Sequence, residues 1–423
     1  MTTIVGLGLI GLMFLSVPIG IAIGLASMLG ILLSGIPLQV AAQRMVVGLT
    51  HFTLLALPFF IFAGTLMEHG GISKRLIRMV SAFVGHRTGG IAIVTVISAM
   101  IFSSLSGSGS ATTAALGSIL IPAMIAKNYS RGFAASVQAV SGELGIIIPP
   151  SITFILFGVA TETSIGDLFI AGVIPGILIG CSLVAISYVL AKKKGYTGVE
   201  KMEWKERGVA FKEAFWALLM PVIILGGIYT GIFTPTEAAV VAVAYSFIVG
   251  FFIYKEITWE GFKKAVNEAL ITSGMIMFII ANASIFSWLL TRESVPQNLA
   301  ILFGEISSSP IMFLLIINAF LLIVGMFFDA APVVIVLAGI LTPIAESFGI
   351  NPVHFGVIMA VNLAFGMVTP PVGVNLFVAC RLANIGMEQM IRDLIPYWIV
   401  LLVNLLIITY LPQLSLWLPS LLK

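Results

Sequence analysis

Ser103, Ser104, Ser106 and Ser108 fall within six residues, interleaved with Gly107, Gly109 and Ser110. Far along the chain, Thr369 and Asn375 bracket a second polar patch around Gly366-Met367-Val368-Thr369-Pro370-Pro371-Val372-Gly373. A close counterpart of that patch, Gly145-Ile146-Ile147-Ile148-Pro149-Pro150-Ser151, lies between the two. All three stretches are embedded in long apolar runs. A double proline removes two backbone donors, and each ring clashes with the carbonyl four residues back, so no helix passes through unbroken. The residue before a proline is also driven out of helical geometry, and the glycine upstream loosens the backbone further. In hydrocarbon the freed carbonyls must meet a ligand or a polar cavity. Hydroxyl oxygens and unwound carbonyls are the ligands that a hard cation such as sodium prefers. Half-helix N-termini after the prolines and at the serine-rich tip carry partial positive charge and suit an anion without a buried arginine. The candidate cation ligands are therefore Ser103, Ser106, Gly145, Ile148, Pro149, Gly325, Asp329, Gly366, Thr369 and Pro370. The candidate contacts for an anionic substrate are Ser104, Ser108, Thr369 and Asn375.

Two acidic residues lie at apparent membrane depth, where a charge costs about 2.5–3.5 kcal/mol even on a lenient insertion scale. Asp329 follows Gly325-Met326-Phe327-Phe328 and precedes Pro332. It suits the N-cap of the next helix, the field of a coupling cation, or both. Glu143 stands two residues before Gly145. It supports a cation site, takes part in proton coupling, or is a satisfied structural acid facing a polar cavity.

Composition fixes the solvent. Of 423 residues, 59% are hydrophobic and 9% charged, against about 25% charged in a soluble domain. Apolar stretches of roughly 20 residues, each enough to cross a bilayer, recur throughout. The chain is an all-α polytopic membrane protein. Met1-Thr2-Thr3-Ile4 has no basic n-region, so the first run reads as a retained span. The net charge is only +3, and the basic residues collect in loops, which suits membrane orientation rather than nucleic acid. Cys181 and Cys380 each lie inside an apolar span, and the four histidines are scattered. Neither a disulfide framework nor a zinc site follows.

The elements that must position the polar groups can be placed. Residues 1–89 read as N-terminal scaffold helices: a first span at about Ile4–Leu33 kinked at Pro18, segments at about 36–50 (interrupted by Arg44) and 52–67, then a basic cytoplasmic loop. Residues 90–194 hold a re-entrant hairpin with its tip at Ser103–Ser110, a broken span at 131–160, and a span ending at Lys192-Lys193-Lys194. Residues 195–213 form a cytoplasmic linker, and 214–297 a second set of scaffold helices. Residues 298–423 hold a second hairpin at about 298–348 with its tip at Gly325–Asp329, a broken span at 353–380, and a last span at about 394–418.

The two halves repeat at an offset of 221: Pro149 pairs with Pro370, Pro150 with Pro371, Gly145 with Gly366, Pro122 with Pro343 and Pro175 with Pro396. Five crossings separate the hairpins in this reading, and an odd number inverts the second repeat. Both tips then meet near the midplane, a hallmark of secondary transporters. Small residues at the tips also serve close helix packing. Other classes fare worse. No Gly-x-x-x-x-Gly-Lys-Ser/Thr is present for ATP, and no Gly-x-Ser-x-Gly elbow accompanies Ser106 or Ser108 for hydrolysis. The chain is expected not to be an enzyme.

Gly145-x-x-x-Pro149-Pro150-Ser151, the serine-glycine loop before it, Gly325-Met326-Phe327-x-Asp329-x-x-Pro332 and Gly366-x-x-x-Pro370-Pro371-x-Gly373 together resemble the large membrane subunit of TRAP (tripartite ATP-independent periplasmic) transporters. The resemblance covers essentially the whole chain. It implies an inverted-repeat ion-transporter fold with two re-entrant helical hairpins and two Pro-Pro-broken helices, working as an elevator. It further implies a sodium-driven importer of organic acids, such as C4-dicarboxylates or sialic acid, in the bacterial inner membrane. A periplasmic substrate-binding protein and a small four-helix membrane subunit are the implied partners, with Na+ as coupling ion and no cofactor. With no extra four-span N-terminal segment, the chain resembles the unfused form. Glu143 departs from the family pattern, which has a neutral residue between Gly142 and Leu144. The alternative is a stand-alone sodium- or proton-coupled anion symporter or antiporter of the same broad fold.

Overall fold

The computed structural model describes residues 2–15, 17–306 and 309–422, and all regular structure among them is helical. The chain opens with α1 (Thr2–Phe14) and α2 (Ile19–Leu33). These were expected as one kinked span, but they fold back on each other. Val5 of α1 packs against Gly30 of α2, where a Cβ would stand 2.7 Å from the valine methyl. Pro18, with φ −54° and ψ 135°, is extended and caps α2, so the chain reverses here instead of bending. At 13 and 15 residues the two helices are about 20 Å long, short of the ~30 Å hydrocarbon core. Ser16 of the expected span lies outside the described residues.

α3 (Gln39–Leu49) leads through a tight turn, Phe52–Leu55, into α4 (Ala56–His69). The expected basic loop is instead an amphipathic helix, α5 (Ile72–Val84), which buries Ile72, Leu76, Met79 and Val80. Its two arginines have partners: Arg75 pairs with Glu256 at 2.6 Å and Arg78 with Glu213 at 2.6 Å. The first hairpin is α6 (Gly90–Ser106) and α7 (Gly109–Ala126). It turns at Gly107, whose φ of +63° favours glycine. The first broken span comprises α8 (Arg131–Gly142), α9 (Leu144–Ile147) and α10 (Ile152–Thr161).

α11 (Ile165–Lys193) returns to the basic side, and α12 (Trp204–Tyr229) leaves it. The linker is shorter than expected, because a capping box formed by Glu203 and Glu206 starts α12 at Trp204. α13 (Pro235–Ile248) ends in a widened turn, Val249–Ile253, and α14 (Trp259–Arg292) follows. The second hairpin is narrower than 298–348. α15 (Val295–Ile306) is a separate helix, and α16 (Pro310–Phe327) and α17 (Ala330–Ser347) are the arms. Ser307 and Ser308, within the expected segment, lie outside the described residues. The second broken span is α18 (Pro352–Gly366) and α19 (Val374–Ala383). The expected last span is two helices, α20 (Glu388–Tyr410) and α21 (Gln413–Leu422), parted at Leu411 and Pro412.

Ten helical stretches among the described residues are long and apolar enough to cross a membrane. Five of them, Arg131–Thr161, Ile165–Lys193, Trp204–Tyr229, Pro235–Ile253 and Trp259–Arg292, lie between the two hairpins. The repeats are therefore inverted. The offset of 221 carries Gly109 and Ala126, the ends of α7, onto Ala330 and Ser347, the ends of α17. It also carries Arg131, the start of α8, onto Pro352, the start of α18. The halves interlock: α7 packs on both α8 and α19, while α17 packs on both α18 and α10. Around them, α2, α3 and α4 pack against α14, and α13 packs on α4.

Candidate functional site

Each hairpin tip is closed by the side chain that caps its inner arm. In the first, Ser108 Oγ accepts from the Ala111 amide at 3.5 Å. Ser106 Oγ lies 2.7 Å from Thr112 Oγ1, which donates to the Ser108 carbonyl at 2.8 Å. In the second, Asp329 is the N-cap of α17, its carboxylate accepting from the Ala331 amide at 3.3 Å. Ser108 and Asp329 occupy equivalent positions, 221 apart.

Each break is tied to the tip of its own hairpin. The Ile152 amide donates to the Gly107 carbonyl at 3.2 Å, and the Gly373 amide donates to the Met326 carbonyl at 3.0 Å. Both Pro–Pro peptide bonds, Pro149–Pro150 and Pro370–Pro371, are cis. The glycines before the prolines serve close approach. A Cβ at Gly366 would stand 2.5 Å from the Gly325 backbone, and one at Gly145 would press into the Ser108 carbonyl. Gly325 and Gly366 thus let α16 and α18 cross with their backbones touching.

A cavity of about 360 Å³ lies between the tips. Ser106, Ser108 and Ser110 of the first hairpin line it, facing Asp329, Ala331 and Pro332 of the second. Ile146, Ile152 and Thr153 bring the first break to its wall. On the far side stand Thr65 and Glu68 of α4 and Thr272 of α14. These four polar residues (Thr153, Thr65, Glu68, Thr272) escaped sequence reasoning. None belongs to a serine-rich tip or a Pro-Pro break, and only for Glu68, a carboxylate in the last turn of α4, was there a readable signal.

The remaining candidates are elsewhere. Ser104 is buried and donates to the Ile101 carbonyl at 2.6 Å, within its own helix. Thr369 does likewise to Phe365 at 2.8 Å. Ser103 and Asn375 are fully buried, and neither the serine hydroxyl nor either amide atom of Asn375 has a hydrogen-bond partner. Gly145, Pro149 and Gly366 are buried at the breaks, with Ile148 and Pro370 half-buried beside them, and Gly325 is buried in α16 against Gly366. The structure thus joins Ser106, Ser108 and Asp329 at one cavity, while Thr369 and Asn375 do not line it. A buried oxygen without a partner loses its hydration uncompensated, and an oxygen-seeking cation is one species that restores it. Ser103 and Asn375 fit that requirement. Glu143 sits in the junction between α8 and α9, 1% exposed, with neither carboxyl oxygen partnered.

A buried amide network holds the second hairpin. Asn362 Nδ2 donates to Asn318 Oδ1 at 2.7 Å and to the Ile358 carbonyl at 2.9 Å. Asn318 Nδ2 donates to Thr409 Oγ1 at 3.0 Å, and His354 Nε2 donates to the Thr409 carbonyl at 3.2 Å. The equivalent positions of the first repeat are Ile97, Ser141, Tyr188 and Phe133. The two hairpins are therefore anchored by different chemistry.

Residues 7–414 match the family described as Tripartite ATP-independent periplasmic transporter, DctM component. The chain is 46% identical over 370 residues to a C4-dicarboxylate TRAP transporter large permease protein of Pseudomonas aeruginosa, covering 88% of this chain and 87% of that protein. It is 39% identical over 415 residues to a sialic acid TRAP transporter large permease protein of Vibrio cholerae, covering 98% and 97%. The fold resembles that of the Alcanivorax borkumensis YdaH transporter, with a TM-score of 0.67 at 14% identity over 90% of this chain and 89% of the other.

Proposed function

The chain belongs to the DctM component family of tripartite ATP-independent periplasmic transporters, and on that premise we propose that it carries an organic acid anion inward across the membrane, driven by sodium. It is a multi-pass membrane protein and a large permease of the TRAP type, within a family of transporters. The substrate class we favour is a C4-dicarboxylate, a sialic acid or a similar carboxylate, as the names of its relatives suggest. The single observation that carries the reading is the cavity between Ser108 and Asp329. There the N-terminal ends of α7 and α17 converge, and the positive ends of their helix dipoles favour an anion. In this reading sodium is a co-substrate. Ser103 and the carbonyls of the two breaks would bind it through oxygen alone, as a hard cation requires.

The transport step is proposed to be an elevator motion. The two hairpins and broken helices would move as one unit against α2, α3, α4, α13 and α14. The interlocking of α7 with α19 and of α17 with α10 supports this, since neither half can shift without the other. The working assembly would include a small four-helix membrane subunit and a periplasmic substrate-binding protein, in the bacterial inner membrane.

Reconstitution into proteoliposomes with these two partners tests the reading, with succinate and N-acetylneuraminate as probes. Uptake of one of them should rise with an inward sodium gradient and vanish when sodium is replaced by potassium. Equal uptake without sodium would remove sodium coupling. Full-rate uptake by the chain alone would replace the tripartite scheme with a stand-alone carrier.

A further inference from the structure

A second cavity, of about 340 Å³, lies further along α14. The cavity at the tips touches α14 at Thr272, Met275, Ile276 and Ile279. The second touches it at Ile280, Ala283, Ser284, Ser287, Trp288 and Thr291. These positions continue at three- and four-residue spacing, so they form one stripe along one face of the helix. The two cavities lie one after the other along this stripe, a track on α14, and their centres are roughly 15 Å apart at 1.5 Å per residue. Across the track the second cavity meets Leu156 and Ala160 of α10 and Ile335 and Gly339 of α17. Both are the halves that run away from the midplane towards the side opposite Lys192–Lys194, which is the outer side.

Arg44 stands at this outer end. Its guanidinium carbon lies over the Trp288 ring, 5.1 Å from the centroid. The guanidinium of Arg292 lies over the same ring at 5.8 Å. Among the described residues, neither arginine is paired with a carboxylate. The Arg44 backbone is fixed instead, because Ser284 Oγ donates to its carbonyl at 3.0 Å. An arginine in an apolar run is costly, and stacking on indole recovers only part of the lost hydration. Its five donors in a rigid fork match a carboxylate.

We propose that Arg44, backed by Trp288 and the hydroxyls of Ser287 and Thr291, is an outer receiving site for a carboxylate-bearing anion. The anion binds at the end of the track before the hairpin tips take it over. This rests on the transport reading above. It places the guanidinium that meets the anion on the stationary helices, so the moving tips, which carry no arginine, need not release the anion from a guanidinium on the inner side.

Fluorescence of the purified full chain tests the site without any need for transport. The chain holds six tryptophans, so Trp288→Phe identifies the signal from this ring. Titration with succinate or N-acetylneuraminate should give a saturable change that Trp288→Phe removes. Arg44→Gln should raise the half-saturating concentration at least tenfold. Arg44→Lys, which keeps the charge and loses the fork, should fall between, and it guards against misfolding of the glutamine variant. Sodium chloride at matched ionic strength should give no saturable change. An Arg44→Gln titration equal to the parent's, the same response from chloride, or no saturable response to either probe overturns the proposal. Sodium-independent uptake with an intact fluorescence response removes coupling and keeps this site; sodium-driven uptake with a flat response does the opposite.

Discussion

Ser108 and Asp329 stand 221 residues apart, cap equivalent helices and face one cavity from opposite hairpins. One is neutral and the other carries a carboxyl group, so the pseudo-symmetric pair is chemically unequal. The N-cap duty is shared, and the carboxyl group belongs to the second tip alone.

Substitution separates the two roles of Asp329. Asn caps a helix about as well as Asp, whereas Ala loses about 1 kcal/mol. Asp329→Asn should keep the thermal stability of the parent in detergent, while Asp329→Ala should lower it. Both variants should weaken the sodium dependence of uptake in proteoliposomes. Normal sodium dependence in Asp329→Asn would leave the residue with its capping role only.

The glycine crossings are steric. Gly366→Ala drives a methyl group into the Gly325 backbone and Gly145→Ala drives one into Ser108. Overpacking of this kind costs about 1–3 kcal/mol. Gly349, whose surroundings are open, has a φ of +76° and so makes a poor control. Gly274, open and helical, is the fair one. Thermal unfolding in detergent should rank Gly274→Ala at or above the parent and both crossing variants well below it.

The amide network can be priced by a double-mutant cycle. Asn318→Leu and Asn362→Leu each break the 2.7 Å bond between them. Interhelical hydrogen bonds in membranes average about 0.6 kcal/mol and reach about 1.7. The coupling energy from chemical or thermal unfolding should fall in that range. A coupling of zero would mean that the bond contributes nothing to holding α16 on α18.

Glu143 offers a test of buried charge. Gln keeps its volume and removes an acid whose oxygens have no partner. The amide is as unpartnered as the acid, so what the change removes is only the cost of carrying a charge in a buried place. Glu143→Gln should therefore unfold at the parent's temperature or higher. A marked fall would show that the carboxyl group has a favourable contact in the folded state.

Much of this architecture was legible because its signals recur. Pro149 and Pro370 break helices for a local reason, and their common offset from Gly145 and Gly366 reveals the repeat without any knowledge of packing. The first hairpin follows from its serine-rich tip, and the second from Gly325–Asp329 in the corresponding part of the repeat. Long-range features were not legible. Pro18 permits a kink or a reversal, and only the contact of Val5 with Gly30 decides between them. α15 has the apolar character of a hairpin arm, and its separation from α16 rests on one local signal, Ser309 at the N-cap before Pro310 at the first helical position. The cavity wall was hardest. Thr65, Glu68 and Thr272 come from helices far apart in sequence, and nothing in their own neighbourhoods marks them as partners of Ser108. Thr369 and Asn375 show the converse: their neighbourhood resembles that of the tip residues, yet the tip cavity does not reach them.

The exchange of half-helices between the repeats has a consequence for biosynthesis. α7 is complete at Ala126, but the α19 surface on which it rests ends at Ala383, roughly 250 residues later. At about 5–20 residues per second, the first hairpin waits some 12 to 50 seconds with one flank uncovered. During that interval its serine-rich tip has no counterpart from the second repeat. The nascent chain therefore needs an early companion such as the insertion machinery, and damage to α19 should first appear as degradation of the newly made protein.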